Sequence, residues 1–446
     1  MKKTRLLFFA LAFSLGATAQ EKSLHLSLEE AIQFALENSY NIQATQNDIS
    51  SAKKVVWETT ASGLPQINGS IDYQNFLKQP VSLADFDGDG VDEQFVFGRK
   101  QNLSASVTVS QLLFDGSYLV SLQASKAYLK ISEQANEKTT LLTREAVINA
   151  YGTVLVSEKS IEILKGNLEI LEKNLQDAQK IYENGFNEEE DVEQLEITVG
   201  TVKNQLNNIV RMKAIAYQML NLALGSAIDT ELILTDDLDT LAEQHVSLEI
   251  ITEPFEVSNH IDFKIAENDR ATKKLLMRLE QSKALPSIST FVNYGSQSFS
   301  DSFSFFKGSQ QWFDSSLLGV SLKLPIFSSL GRKAKIAQAR IALETSDFRL
   351  EETKQRLNLL AQKAKSDYQL SVGNYLTAKR NVGLAERIEK KQRFKFFEGI
   401  SSSFDLLQAQ NQLYTQQQNY VQSMLDVIAK KAALENALNL SIKTKK

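Results

Sequence analysis

Two stretches of nearly seventy residues each, Gly116 to about Asn184 and residues 330–397, contain no proline. At 1.5 Å per residue, a continuous helix over either stretch runs roughly 100 Å, longer than a compact domain accommodates. The 446 residues include only 5 prolines, and most of them fall at boundaries. Pro65 and Pro286 start strands, Pro325 ends one, and Pro254 marks a linker. Length alone would suggest about three globular domains; the proline-free stretches argue against that kind of chain.

Heptad spacing supports the long helices. Ile161, Leu164, Leu168, Leu171, Leu175, Ala178 and Tyr182 alternate by three and four residues. Beyond Gly185, Val192, Leu195, Val199, Val202, Leu206, Ile209, Ala216, Leu220 and Ala223 keep the register, broken once by Lys213. Two such helices joined at a glycine form an antiparallel coiled-coil hairpin. A second, more polar hairpin follows in the C-terminal half. Leu406, Leu413, Tyr420, Val427 and Leu434 recur every seven, beside Gln408, Gln410, Gln412, Gln416, Gln417 and Gln418. Such a glutamine-rich face is expected to be solvated, and suits the wall of a water-filled conduit.

The chain is a tandem duplication. Asn41–Asp48 recurs as Asp262–Asp269, and Leu64-Pro65-Gln66-Ile67 recurs as Leu285-Pro286-Ser287-Ile288, both at an offset of 221. Val107–Phe114 matches Val320–Phe327, and Tyr182-Glu183-Asn184-Gly185 matches Phe396-Phe397-Glu398-Gly399. The expected division is a first repeat over 20–225, a linker over 226–255, a second repeat over 256–440 and a tail over 441–446. Each repeat reads helix, strand, loop, strand, very long helix, turn, helix.

The strands alternate at period two. Ile67, Ile71 and Tyr73 share one face; Leu103, Ala105, Val107 and Val109 share one on the next strand. Ile288, Val292 and Tyr294, then Leu318, Val320, Leu322 and Leu324, repeat the pattern. Four strands of about ten residues, each apolar on one face only, have the length that crosses a bilayer.

Residues 1–19 read as an export signal. Lys2, Lys3 and Arg5 precede the apolar run Leu6–Leu15, and Ala17-Thr18-Ala19 offers a small-x-small cleavage site. With 49 Lys+Arg against 54 Asp+Glu the chain carries −5, and losing three bases leaves 46 against 54, or −8. This balance speaks against nucleic acid as a partner. No Cys and only 3 His leave no thiolate, lipidated cysteine or histidine cluster for metal or nucleophilic chemistry. An exported enzyme fails for want of a nucleophile–base pair or a phosphate loop. A periplasmic coiled-coil scaffold without a pore explains the heptads but not the four alternating strands.

Four membrane strands cannot close a barrel, since the smallest have eight, and open edges in lipid leave backbone groups unsatisfied. The chain must therefore assemble. A dimer makes eight strands whose interior fills with side chains; a trimer makes twelve with room for a pore.

These features together resemble the TolC-type outer-membrane efflux proteins, the exit ducts of tripartite efflux pumps and type I secretion systems. The resemblance is carried by the Leu-Pro-x-Ile strand starts, by Leu324-Pro325-Ile326-Phe327, and by Phe396-x-x-Gly399 followed by Asp405-Leu406-Leu407-x-Ala409-Gln410. It implies a mainly α protein with a membrane β-barrel portion, internally duplicated. Four strands per chain would complete a 12-stranded barrel as a homotrimer, continued by a long α-helical periplasmic tunnel. The implied location is the outer membrane, in contact with its lipid. The implied partners are a periplasmic adaptor and an inner-membrane pump, and the implied role is export of small toxic molecules. A type I protein-secretion duct is the alternative within the same architecture.

The resemblance also places the adaptor contact at the hairpin tips, here Tyr182, Gly185, Phe186, Phe396, Gly399 and Ile400. Exposed apolar residues beside glycine turns favour a contact site, although each glycine would also simply cap a helix. An acidic ring at the aperture falls on Glu188, Glu189, Glu190, Asp191 and Asp405, with Gln408 where some relatives carry a second carboxylate. Low-dielectric walls would focus such a field; acidic residues also suit a helix start. Finally, Asp85, Asp87 and Asp89 before Gly90 have the spacing of a calcium loop, but Val96 replaces its twelfth-position Glu. An acidic turn is the default there, and no other cofactor is expected.

Overall fold

The computed structural model describes residues 24–86, 88, 90, 92–185 and 188–440. The export signal, the tail over 441–446, Asp87, Asp89 and Phe186 lie outside the described residues. The first repeat contains β1 (Leu24–Leu26), α1 (Leu28–Asn38), α2 (Tyr40–Ala61), β2 (Gln66–Asn75), β3 (Val81–Ala84), β4 (Glu93–Val96) and β5 (Gln101–Asp115). The long helix α3 (Gly116–Glu183) and α4 (Glu189–Leu224) complete it. Next come β6 (Leu232–Leu234) and α5 (Leu238–Gln244), so the intervening segment is structured. The second repeat is α6 (Ile261–Ser282), β7 (Ser287–Ser300), β8 (Phe313–Lys323), α7 (Gly331–Phe397) and α8 (Ser403–Ala437). At 68 and 67 residues, α3 and α7 are unbroken, because no proline removes a ladder donor along either.

Contacts divide the chain into two units. One contains the described parts of Met1–Gln43, Thr140–Pro254 and Ala361–Lys446; the other is Ala44–Thr139 with Phe255–Leu360. The second unit holds a four-stranded antiparallel sheet in the order β2-β5-β7-β8. Its register aligns Ile67, Val109, Val292 and Leu318 in one row, and all four are exposed. The adjoining row is Asn68, Thr108, Asn293 and Leu317, polar on three of its four strands, and there Asn293 Nδ2 donates to Thr108 Oγ1 at 2.7 Å. One apolar and one mainly polar face on the same strands is the pattern of a sheet between lipid and water. Asp115, Ser287 and Lys323 lie in register, so the helix connections of these three strands leave from one end of the sheet. At the other end Arg99 forms an ion pair with Asp301, and β3 pairs with β4 in a separate hairpin.

The first unit is helical. Leu164, Leu171 and Val202 form one buried cluster of the α3–α4 hairpin, with Leu168, Val199, Leu206 and Ile209 packed around it. Ala178, Val192 and Leu195 form another nearer the turn. Lys213, the break in the heptads, reaches Glu158 across the hairpin at 2.8 Å, and Tyr217 donates to the same carboxylate at 2.9 Å. The start of α1 is fastened through a part-buried polar link. Asp236 Oδ2 accepts from the Leu28 amide at 2.7 Å and from the Tyr151 hydroxyl at 2.9 Å, and β1 pairs in parallel with β6. Burial together with the Asp236 carboxylate pushes the Tyr151 hydroxyl well above its ordinary range, so it stays a donor. Asp239 on α5 joins α3 and α8, pairing with Lys159 at 3.0 Å and accepting from Tyr420 at 3.0 Å.

The glutamine-rich stretch of α8 is not one solvated face. Gln408, Gln412 and Gln418 are exposed, but Gln410 is fully buried and neither atom of its amide has a partner. Gln417 accepts from Asn167 of α3 at 2.8 Å. The hydrophobic repeat of α8 faces more than one helix, and the glutamines between its leucines are drawn in.

Candidate functional site at the hairpin tips

Both turns are built on glycine. Gly185 has φ 78° and Gly399 has φ 73°, the left-handed region that side chains with a Cβ enter at a cost of about 1–2 kcal/mol. A Cβ at either position would meet open space, so the backbone conformation is what demands glycine. At the second turn the Ile400 amide bonds the Lys395 carbonyl at 2.8 Å and the Gly399 amide bonds the Phe396 carbonyl at 3.0 Å. That pair of bonds is the Schellman arrangement. The apolar cover that often accompanies it is missing, since Ile400 is 72% exposed.

Tyr182 is exposed as expected, whereas Phe396 is not. Phe396 is only 6% exposed and packs edge-to-face on Phe397, with ring centroids 5.2 Å apart. It ends a buried series along α7 that includes Ala361, Tyr368, Tyr375, Ala378, Ala385 and Glu389. Steps of three, four and seven separate these residues, so the pattern was available in the sequence and masked by its small and polar members. The exposed apolar residues at this tip are Phe394, Ile400 and Phe404. Phe394 and Phe404 were missed because they lie off the recurrent apolar positions and no motif marks them.

The carboxylates divide by role. Glu188, Glu189 and Glu190 are exposed at the start of α4 and Asp191 is half-buried. Glu188 makes no side-chain cap, and Glu190 accepts from Gln194 at 2.9 Å. Asp405 instead belongs to a capping box. Its carboxylate accepts from the Ser402 hydroxyl at 2.9 Å and from the Ser402 amide, while Ser402 Oγ accepts the Asp405 amide at 3.2 Å. Ser403 Oγ donates to Gln194 Oε1 at 3.1 Å, which brings the two tips of one chain together. Gln408 is exposed. Sequence reasoning overlooked Glu389, which is buried beside Arg393 at 3.8 Å; burial raises its carboxyl above the ordinary range.

The Asp-rich loop belongs to the unit that holds the sheet. Asp85 accepts from the Gly88 amide at 2.7 Å and from the Gly90 amide at 2.9 Å, an arrangement that builds an acidic turn. Among the described residues no cluster of three metal-ligating side chains occurs, and no helix is long and apolar enough to cross a membrane.

A duplicated chain with a four-stranded membrane sheet and long helical hairpins ending in glycine turns has the build of a barrel-and-tunnel channel. A model of the outer membrane efflux protein family matches residues 31–226 and 257–440, and the chain belongs to that family. It is similar to the toluene efflux pump outer membrane protein TtgC of Pseudomonas putida, with 24% identity over 92% of this chain and 82% of the relative. It is also similar to the solvent efflux pump outer membrane protein SrpC of Pseudomonas putida, with 23% identity over 95% and 90%. The crystal structure of CusC superimposes with a TM-score of 0.74 at 18% identity, covering 96% of this chain and 95% of that one. The protein is therefore an outer-membrane efflux duct with a periplasmic helical portion, in a family of channels and not of enzymes.

Proposed function

We propose that this chain works as a homotrimer, the exit duct of a tripartite pump that expels small apolar toxic compounds. It would dock through its hairpin tips to a periplasmic adaptor and, through the adaptor, serve an inner-membrane pump. The observation that carries this reading is the sheet itself. β2 and β8 form its two unpaired edges, and its apolar face is exposed. Unpaired backbone groups in lipid cost several kcal/mol each, so copies must join edge to edge. Three copies of four strands make twelve, a barrel wide enough for a pore, whereas eight fill with side chains. The names of the toluene and solvent pump relatives support the substrate class. The exposed Tyr182 and Ile400, with Phe394 and Phe404, support a protein contact at the tips. The acids at Glu188–Asp191 favour cations at the entrance.

Single-channel recordings of the purified full chain in planar bilayers test the duct, and cross-linking tests its stoichiometry. A steady pore and a trimer band are expected; a dominant dimer contradicts the trimer. For the tip, Gly399→Val should reduce capture of the adaptor by about fivefold to thirtyfold while the pore persists, the left-handed turn being worth about 1–2 kcal/mol. Unchanged capture would remove the docking role.

A further inference from the structure

The duplicated halves differ where a membrane strand passes into a long helix. In the first repeat β5 ends at Asp115 and α3 begins at the next residue. Asp115 closes that junction by accepting from the Ser117 amide at 2.7 Å and the Tyr118 amide at 3.0 Å. In the second repeat an irregular insert, residues 324–330, stands between β8 and α7, and its Leu324–Phe327 is the counterpart of Gln111–Phe114, which in the first repeat still belong to β5. The insert is apolar and turned outward, with Ile326 92% exposed, Phe327 82% exposed, and Leu324 and Leu330 well exposed. Leu330 is held at φ 64°, a conformation that a bulky side chain rarely adopts, and its side chain still faces outward. Arg332 braces the passage by donating to the Pro325 carbonyl at 3.3 Å.

Charge is one-sided over the same stretch. Residues 315–343 contain five basic side chains and no acidic one, in a chain whose total is −5. Lys333, Lys335 and Arg340 are exposed, and no ion pair to a carboxylate forms at any of them among the described residues. Exposed apolar side chains next to unpaired bases suit the boundary of a bilayer carrying anionic headgroups. The position agrees. Leu318, Val320 and Leu322 are the outward apolar residues of β8, and the insert continues directly from that strand at the end of the sheet where the helices leave.

We propose that residues 324–330, together with Lys333, Lys335 and Arg340, seat the chain on anionic phospholipid of the leaflet facing the periplasm. The apolar insert enters the acyl boundary and the three bases meet phosphate groups. The inference rests on the outer-membrane placement of the sheet, and commits to lipid and not to a second copy as the occupant of this surface.

The test uses the full chain purified in detergent and exposed to an equal mixture of phosphatidylglycerol and phosphatidylcholine, with retained lipid counted by native mass spectrometry. The wild type should retain phosphatidylglycerol preferentially, by up to about a hundredfold, given roughly one fivefold step for each of three bases near a charged surface. The triple variant Lys333→Gln, Lys335→Gln, Arg340→Gln should bring the ratio close to one. A control triple, Lys173→Gln, Lys203→Gln, Arg211→Gln, removes as much charge from exposed positions of α3 and α4 and should leave the preference intact. Ile326→Ser with Phe327→Ser should lower retention of both lipids. An equal effect of the control triple, or no preference in the wild type, overturns the proposal. Trimer loss in the serine variant with unchanged lipid retention would assign the insert to a neighbouring copy and overturn it as well. Conductance of the same preparations keeps the outcomes apart, since a conducting protein without lipid preference leaves the duct reading standing.

Discussion

The α3–α4 and α7–α8 hairpins descend from one repeat but are held together differently. The first closes on Leu164, Leu171, Leu195 and Val202. Along the second, Leu406, Met424, Val427 and Ile428 of α8 are buried together with the large polar side chains Tyr368, Tyr375, Glu389 and Gln410, with Tyr375 and Tyr420 stacked at 5.9 Å. Their tips differ in charge as well. Residues 183–196 contain seven acidic side chains and no basic one, whereas residues 387–398 contain five basic and two acidic. The first hairpin thus carries the negative tip, and the second sets large polar side chains among its apolar ones. Buried polar groups without partners are costly, and the Gln410 amide is such a group in the second hairpin.

The largest expected effect tests that division directly. Leu171→Ala should destabilise the protein by about 3 kcal/mol, the usual cost of emptying a leucine site. Gln410→Leu, at an unpartnered amide in the second hairpin, should instead stabilise it by about 1 kcal/mol. Denaturant midpoints of the two variants check both signs; two losses of similar size would erase the distinction.

A smaller effect distinguishes the starts of α4 and α8. Ser402→Ala breaks the capping box and should cost about 1 kcal/mol. Glu188 makes no side-chain cap, so Glu188→Ser should gain several tenths of a kcal/mol. Thermal melts by circular dichroism separate these outcomes, and a loss at both positions would argue against the difference.

The smallest effect is a pH dependence. The carboxyl of Glu389 titrates above its ordinary value because burial disfavours its charge. Its folded form binds the proton more tightly than the unfolded chain does, so its contribution to stability falls as pH rises from about 4.5 through the raised value. Glu389→Gln should therefore be more stable than wild type at neutral pH, by about 1 kcal/mol or less, and the difference should shrink toward pH 4. A difference independent of pH would place the charge in water.

Much of the architecture was legible in local pattern. Helix lengths followed from the spacing of five prolines, and the four strands from alternation at period two. Gly185 and Gly399 stood out as turns because Tyr182–Gly185 and Phe396–Gly399 match between the halves. Phe396 was misread, since its identity as an aromatic beside a turn spoke louder than the weak series of alanines, tyrosines and Glu389 behind it. Asp405 was equally ambiguous: Ser402 three residues earlier is a capping signature, yet acids near a pore have the same spelling.

The sequence by itself determined the duplication, the period of each element, the hairpin turns and the one-sided strands, because these depend on residues within a few turns of one another. Tertiary structure alone decided which repeated positions are buried, that Asp236 ties Leu28 to Tyr151, that Ser403 meets Gln194 across the tips, and that the insert of the second repeat faces outward. Those outcomes depend on groups that lie up to about two hundred residues apart in the chain and meet only after the helices have packed. Burial then sets whether a tyrosine, a glutamine or a glutamate stabilises or strains the site it occupies.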